Sequence, residues 1–168
     1  LDDYYVSTDG GVHWKSDTLK SPYGVYGDPV LQFDAKGRLY YFHLSNYPKG
    51  YWIDRIVCQF TDNFSDVNAF SEGSFPKPFG RKAQDKHWVD IDPNTGVIYM
   101  TWTQFDKYDS KNFMDSSRIM FSKSMDRGLT WANPKIISFY NGDCLDGDKP
   151  VEGAVPVVGV NGQLYVTW

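Results

Sequence analysis

Three carboxylates recur at nearly the same place in a repeated pattern and are the first candidates for chemistry. Asp85 and Glu152 begin two similar strands, and Asp28 stands one residue further along in a third. Charges that converge at one place repel or pair with one another, and such crowding commonly shifts carboxylate pKa values. The pattern predicts an acid–base site formed by these residues. The alternative is that they accept backbone hydrogen bonds between neighbouring strands.

Aromatic and basic residues on the following strands form a second group of candidates. His43, Trp102 and Trp168 end equivalent strands. An indole can stack on the apolar face of a pyranose while carboxylates bind its hydroxyls, so these residues predict a sugar-binding floor or, alternatively, packing in the interior. Arg55 and Arg118 lie at the starts of the next strands, where they can bind anions or pair with neighbouring aspartates.

The segment NGDCLDGDKP offers closely spaced oxygen ligands. Its carboxylates are Asp143, Asp146 and Asp148. Ca²⁺ prefers such ligands, but their spacing is not that of a regular calcium-binding loop. The segment is therefore a weak candidate for Ca²⁺ binding, with a solvated acidic loop as the alternative, and the sequence predicts no other cofactor.

Three hairpins of one plan position the first two groups of candidates. Each has an alternating apolar strand, a glycine-containing turn and a second strand rich in Tyr and β-branched residues. The hairpins are DPVLQFDAKGRLYYFH (28–43), KHWVDIDPNTGVIYMTW (86–102) and EGAVPVVGVNGQLYVTW (152–168). Asp34, Asp92 and Gly159 align at a spacing of roughly 60 residues, which suits a four-stranded unit.

Further strands complete these units. The alternating segments 54–61 and 117–124 predict a third strand after each of the first two hairpins. A fourth strand is expected after each, at about 131–138 in the better-defined unit.

A turn motif of the form Ser-x-Asp-x-Gly-x-Thr-Trp occurs between third and fourth strands. Its Asp can accept backbone N–H bonds, its Gly permits positive φ, and its Trp can fill the apolar interior. One copy comprises Ser7, Asp9, Gly11 and Trp14, with His13 in place of Thr, and the other comprises Ser124, Asp126, Gly128, Thr130 and Trp131. The segment TDNFSDVNAF (61–70) stands where a third copy is expected but lacks both Gly and Trp.

Two such motifs in phase with three hairpins resemble the Asp-box (BNR) repeats of the sialidase superfamily, across essentially the whole chain. The resemblance implies an all-β fold, a β-propeller of four-stranded antiparallel blades. The family usually has six blades, and about three blades' worth are present here. The expected division is outer strands at 1–26, blades at 27–84 and 85–150, and inner strands at 151–168.

In such a blade the Asp boxes and the hairpin turns lie on one face, and the long loops lie on the other. The Asp boxes are therefore expected to be structural. Function is expected at the long-loop face, where the first strands begin, because long loops on a rigid scaffold commonly carry binding and catalytic residues.

The family mechanism uses an arginine triad, a Tyr nucleophile paired with Glu, and an Asp acid/base. Glu152 lies in a segment similar to that around the Tyr-activating Glu, but no arginine of the chain matches a triad position, and Trp168 stands where one is expected. Two hypotheses follow. In the first, Glu152 with Asp85 or Asp28 acts on a glycan as a glycoside hydrolase of the exo-sialidase-like type. In the second, the propeller is a non-catalytic scaffold that binds glycan or protein.

Composition limits the partners. A net charge of −4 with acidic and basic residues scattered along the chain does not predict nucleic-acid binding. No apolar run is long enough for a membrane span, and no signal peptide is recognisable. The family resemblance implies a secreted, cell-surface or periplasmic protein. Cys58 and Cys144 are read as two free thiols or, alternatively, as one disulfide bridge.

Overall fold

The computed structural model describes residues 2–64, 66–145, 147 and 149–168, and these form an all-β protein. The strands group into four antiparallel sheets within the described residues. Sheet I contains β1 (Asp2–Val6) and β2 (Lys15–Leu19); sheet II contains β3 (Gly27–Phe33), β4 (Leu39–Leu44) and β5 (Ile56–Thr61); sheet III contains β6 (Ala83–Ile91), β7 (Ile98–Phe105), β8 (Ser117–Ser124) and β9 (Lys135–Ile136); sheet IV contains β10 (Val155–Val158) and β11 (Leu164–Thr167). One 3-10 turn spans Val67–Ala69.

The sheets pack face to face in chain order, as β4 makes clear. Every residue of this strand is buried. Tyr40 and Phe42 point into a large apolar cluster shared with sheet III, whereas Leu39 and Tyr41 point into a smaller cluster shared with sheet I. Because side chains alternate across a strand, a strand covered on both faces reads as a continuous apolar run.

The three hairpin turns are each closed by a left-handed glycine, although the second turn is one residue longer than the other two. In each, a glycine with φ between 74° and 85° closes the turn, and its N–H donates to the carbonyl of the aligned residue. The pairs are Gly37 with Asp34 (3.0 Å), Gly96 with Asp92 (2.8 Å) and Gly162 with Gly159 (2.8 Å). A left-handed residue is required there, which is why glycine recurs.

The first strands of sheets II, III and IV lie side by side, with β3 against β6 and β6 against β10. Asp90 of β6 joins all three strands. One carboxylate oxygen accepts from Gln32 Nε2 at 3.4 Å, and the other accepts from the backbone N–H of Val158 at 2.6 Å. We call β3, β6 and β10 the inner strands.

The fourth strands are shorter than predicted. In sheet III, β9 has only two residues, where 131–138 was expected. Among the described residues of sheet II, the segment after β5 makes a single bridge, in which Cys58 and Ser74 exchange backbone hydrogen bonds of 2.8 and 2.9 Å. Pro134 precedes β9, and Pro76 follows the bridge. Proline lacks the N–H that would extend either ladder.

The second turn motif, residues 124–131, is termed box 2 and has the predicted turn geometry. Asp126 Oδ1 accepts from the Ser124 hydroxyl and the Thr130 N–H, both at 2.8 Å, and Oδ2 accepts from the Thr130 hydroxyl at 2.5 Å. The Trp131 ring packs against the large apolar cluster, and its Nε1 donates to Ser74 Oγ at 2.9 Å. Box 2 therefore joins sheet III to sheet II.

Box 1, residues 7–14, shows how the His13 substitution is accommodated. Asp9 Oδ1 accepts from the His13 N–H at 2.9 Å, and Oδ2 lies 2.6 Å from His13 Nδ1. The His13 imidazole thus makes the contact with the Asp carboxylate that the Thr130 hydroxyl makes in box 2. Unlike Trp131, Trp14 is 60 % exposed.

The segment 61–70 does not repeat this turn. Asp66 caps the 3-10 turn by accepting from the Asn68 N–H at 2.9 Å, and Phe70 packs on the smaller apolar cluster. The two cysteines, Cys58 and Cys144, are both buried and free, so of the two alternatives the structure has no disulfide between them.

Candidate functional site

The inner strands carry a repeated backbone irregularity at the positions where the sequence predicted a site. The β3–β4 register shifts between Gly27 and Val30, and the β6–β7 register shifts between Asp85 and Trp88. Such bulges redirect side chains and are common beside active sites.

The residues inside these bulges are left-handed. Asp28 has a φ of 52° and Lys86 a φ of 48°, and Gly153, the equivalent residue before β10, has a φ of 74°. A left-handed conformation costs a residue other than glycine roughly 1–2 kcal/mol. Backbone strain of this kind concentrates at functional sites, so the two equivalent positions mark a candidate site.

The bulges bring together the predicted carboxylates around one ammonium. Lys86 Nζ lies 2.9 Å from Glu152 Oε2 and 3.7 Å from Asp85 Oδ2. Burial raises the pKa of Asp85; the attraction of Lys86 opposes this, and the charge and hydrogen bond of neighbouring Asp28 raise it further. Asp85, whose carboxyl group keeps its proton more readily than usual, thus lies near the carboxyl groups of Asp28 and Glu152.

An open cleft of about 350 Å³ adjoins this cluster. We call it the inner-strand cleft; it is lined by Asp28, Pro29, Val30, Lys86, His87, Trp88 and Gly153. Trp88 is 47 % exposed and presents the one indole among the described residues that line this cleft. Sequence reasoning missed Trp88 because simple alternation does not indicate where a bulge turns a side chain.

His87 is the second residue of the inner-strand cleft that sequence reasoning missed. Its side chain is fully buried, and neither ring nitrogen makes a hydrogen bond of normal geometry within the described residues. Burial and the nearby His43 lower the pKa of His87 to about 3, with the Phe42 backbone opposing the shift. At neutral pH the ring is therefore uncharged, and it offers one donor and one acceptor.

Two of the three predicted aromatic residues lie in the interior. Trp102 is 2 % exposed, and its Nε1 donates to Gln84 Oε1 at 2.7 Å. His43 is fully buried; its ring stacks on Tyr41, and Nδ1 lies 2.9 Å from the Leu44 carbonyl oxygen. Both strands are covered on both faces, so the alternative of interior packing describes these residues. Trp168 is 54 % exposed and is not among the residues that line the cleft.

The two predicted basic residues are engaged in ion pairs. Arg55 binds the Asp54 carboxylate through two hydrogen bonds, from Nε at 2.7 Å and from Nη2 at 2.8 Å. Arg118 Nη2 lies 2.5 Å from Asp106 Oδ2. Of the two alternatives for these arginines, the structure shows pairing with aspartate.

The proposed calcium ligands are only partly described. Asp143 accepts a hydrogen bond from the Leu145 N–H at 3.1 Å, whereas Asp146 and Asp148 lie outside the described residues. Within the described part of the chain, no group of three or more His, Cys, Asp or Glu side chains is placed to hold a metal ion.

Comparison of the sequence with known protein families and with curated proteins finds no match. Among the described residues, no helix has the length and apolar character that a membrane crossing requires.

Proposed function

We propose that this chain is part of a sialidase-superfamily β-propeller that acts on glycans at the inner-strand cleft. Sheets stacked in chain order, with their inner strands side by side, are the arrangement that successive blades of a propeller would have. The matching hydrogen bonds of box 1 and box 2 support the same proposal, since each turn would join the outer strands of one blade.

The catalytic part of the proposal rests on one observation. The carboxyl groups of Asp85 and Glu152, which differ in environment, both lie beside the Lys86 ammonium. Asp85 has a raised pKa and suits a general acid, which must hold its proton until it reaches the leaving group. Glu152, paired with Lys86, supplies a carboxylate that can stabilise a positively charged transition state or activate a nucleophile. Most glycoside hydrolases require such an acid and a second carboxylate.

Turnover of glycosides tests the proposal. Wild-type protein is incubated with a panel of fluorogenic glycosides that includes a sialoside, beside Asp85→Asn and Glu152→Gln. Loss of general-acid catalysis commonly costs about 10²–10⁴-fold in rate, so we expect each variant to lose at least about 100-fold. Glu72→Gln, an exposed carboxylate in another segment, is the matched control and should keep the wild-type rate. Failure of folded wild-type protein to hydrolyse any glycoside in the panel would refute the enzymatic proposal.

A non-catalytic glycan- or protein-binding scaffold is the second candidate. It is favoured by the pairing of Arg55 and Arg118 with Asp54 and Asp106, because a sialidase needs arginines available to its substrate. Binding without turnover on the same panel, measured by calorimetry, is the result that this candidate predicts.

A further inference from the structure

The inner-strand cleft has a polar floor that the catalytic proposal does not use. His87 lines the cleft, is 1 % exposed, and has two ring nitrogens without a hydrogen bond of normal geometry. A buried polar group without a partner costs about 1–3 kcal/mol. Because both ring nitrogens are covered in this conformation, a ligand recovers that cost only when the imidazole turns into the cleft. A sugar hydroxyl suits a neutral imidazole because it can both donate and accept.

The walls of the cleft suit one sugar ring. Trp88 exposes about half of its surface, and Pro29 and Val30 add further apolar surface from β3. The volume of about 350 Å³ is at the lower end of the range for small-molecule sites, which begins at roughly 300 Å³. An indole face with a few polar groups beside it is suited to the C–H face of a pyranose.

The charges around the cleft oppose an anionic ligand. Lys86 is the one cation that lines it in the described part of the chain, and its ammonium is already shared between Glu152 and Asp85. The five arginines of the chain are all engaged elsewhere. Arg38 pairs with Asp62, Arg55 with Asp54, Arg118 with Asp106 and Arg127 with Asp34, and Arg81 lies over the Tyr51 ring at 4.9 Å.

We infer that the inner-strand cleft binds an uncharged sugar ring, stacked on Trp88 and hydrogen-bonded to His87, and that it rejects sugars carrying a carboxylate. This inference rests on the proposed glycan-binding function and specifies its substrate class. A ligand carboxylate would meet Asp28 in the lining of the cleft, where the ammonium of Lys86 is already paired with Glu152 and Asp85. An uncharged sugar ring avoids that repulsion and still hydrogen-bonds to His87 and stacks on Trp88.

Saturation-transfer NMR and calorimetry with four probes test the inference. The probes are methyl glucoside, methyl galactoside, N-acetylglucosamine and N-acetylneuraminic acid. At least one of the three uncharged probes should bind at least about 10-fold more tightly than the acidic one, which corresponds to about 1.4 kcal/mol. Equal or tighter binding of N-acetylneuraminic acid overturns the inference, and so does the absence of binding by any probe.

Variants locate the binding. Trp88→Ala and His87→Phe should each weaken the uncharged probe at least 10-fold, whereas Trp14→Ala, which removes an exposed indole from box 1, should leave binding unchanged. His87→Gln retains a polar side chain and provides a second test if the Phe variant does not fold. Binding that is insensitive to Trp88→Ala and to the folded His87 variant overturns the assignment. Loss of turnover in Glu152→Gln with binding retained bears on catalysis alone, so the two proposals fail separately.

Discussion

Arg127 and Asp34 join two neighbouring sheets through a two-pronged ion pair. Arg127 lies in box 2, and its Nε and Nη2 donate to Asp34 Oδ2 at 2.9 and 2.7 Å. Asp34 begins the hairpin turn of sheet II, and its carboxylate is almost fully buried. Burial acts to raise the pKa of Asp34, but Arg127 and nearby backbone N–H groups hold that pKa below its usual value. The turn of one repeat is therefore tied to the hairpin of the preceding one.

This pair should contribute measurably to stability. In a double-mutant cycle of Arg127→Ala and Asp34→Ala, we expect a coupling free energy of about 1–2 kcal/mol from urea unfolding, because one partner is desolvated. Arg38 and Asp62 form the matched control, since Asp62 is 66 % exposed and such surface pairs typically contribute about 0–1 kcal/mol. Equal coupling in the two cycles would contradict the interpretation.

Asp85→Asn should stabilise the protein at pH 7. A carboxyl whose pKa is raised by folding contributes stability below its unfolded pKa and loses that contribution as pH rises. At neutral pH the native state therefore carries a charge penalty that Asn lacks. Thermal unfolding should show a higher Tm for the variant at pH 7, and the difference should diminish towards pH 3.

Asp106→Asn is the opposing control. Burial acts to raise the pKa of Asp106, but Lys82, the Ser116 N–H and Arg118 together lower this pKa to about 2. Its stabilising contribution is present above the unfolded pKa and is lost as pH falls, so the Asn variant should lose about 1–3 kcal/mol at pH 7. If Asp85→Asn and Asp106→Asn changed stability at pH 7 in the same direction, the environments assigned to these two carboxyl groups would be wrong.

His87 should make the protein sensitive to mild acid. Burial lowers its pKa to about 3, so between that pH and its ordinary value near 6.5 the unfolded chain binds a proton that the native state does not. Stability should fall as pH decreases through this window, with a slope of up to about 1.4 kcal/mol per pH unit from this one group. His87→Phe should have a correspondingly flatter dependence in urea titrations from pH 7 to pH 4. His43, whose pKa is also lowered by burial, contributes to the residual slope.

His13 should be replaceable by Thr without loss of the box 1 turn. The backbone and side chain of His13, with Ser7, lower the pKa of Asp9 to about 2. We expect His13→Thr to keep that pKa low, as a hydroxyl does for Asp126 in box 2, and His13→Ala to raise it. Carboxyl chemical shifts recorded during a pH titration measure the difference. A low pKa in the Ala variant would mean that the His13 side chain contributes nothing.

The repeat made much of the fold predictable. The strand Ser117–Ser124 has the predicted bounds, and the three glycine turns follow from the need for positive φ. The structure also brings Asp85, Lys86 and Glu152 together, because strands of the same register begin at one place. These features depend on local periodicity, which a sequence displays directly.

Features that depend on contacts between sheets were not predictable in the same way. The positions of His43 and Trp102 at strand ends suggested an aromatic floor, but both faces of their strands are covered by neighbouring sheets. Trp88 was missed for the opposite reason, since a bulge exposes a residue on a strand that is otherwise mostly buried. Strand periodicity records which residues share a face but not what covers that face.

The left-handed positions of the inner strands also bear on how such a protein can diverge. All three positions have a positive φ. Asp28 carries a negative charge, Lys86 carries a positive charge, and Gly153 has no side chain. An added Cβ at Gly153 would meet no atom within 4 Å. The repeat therefore has three equivalent positions at which a substitution would change the charge of the cleft while the surrounding ladder is retained.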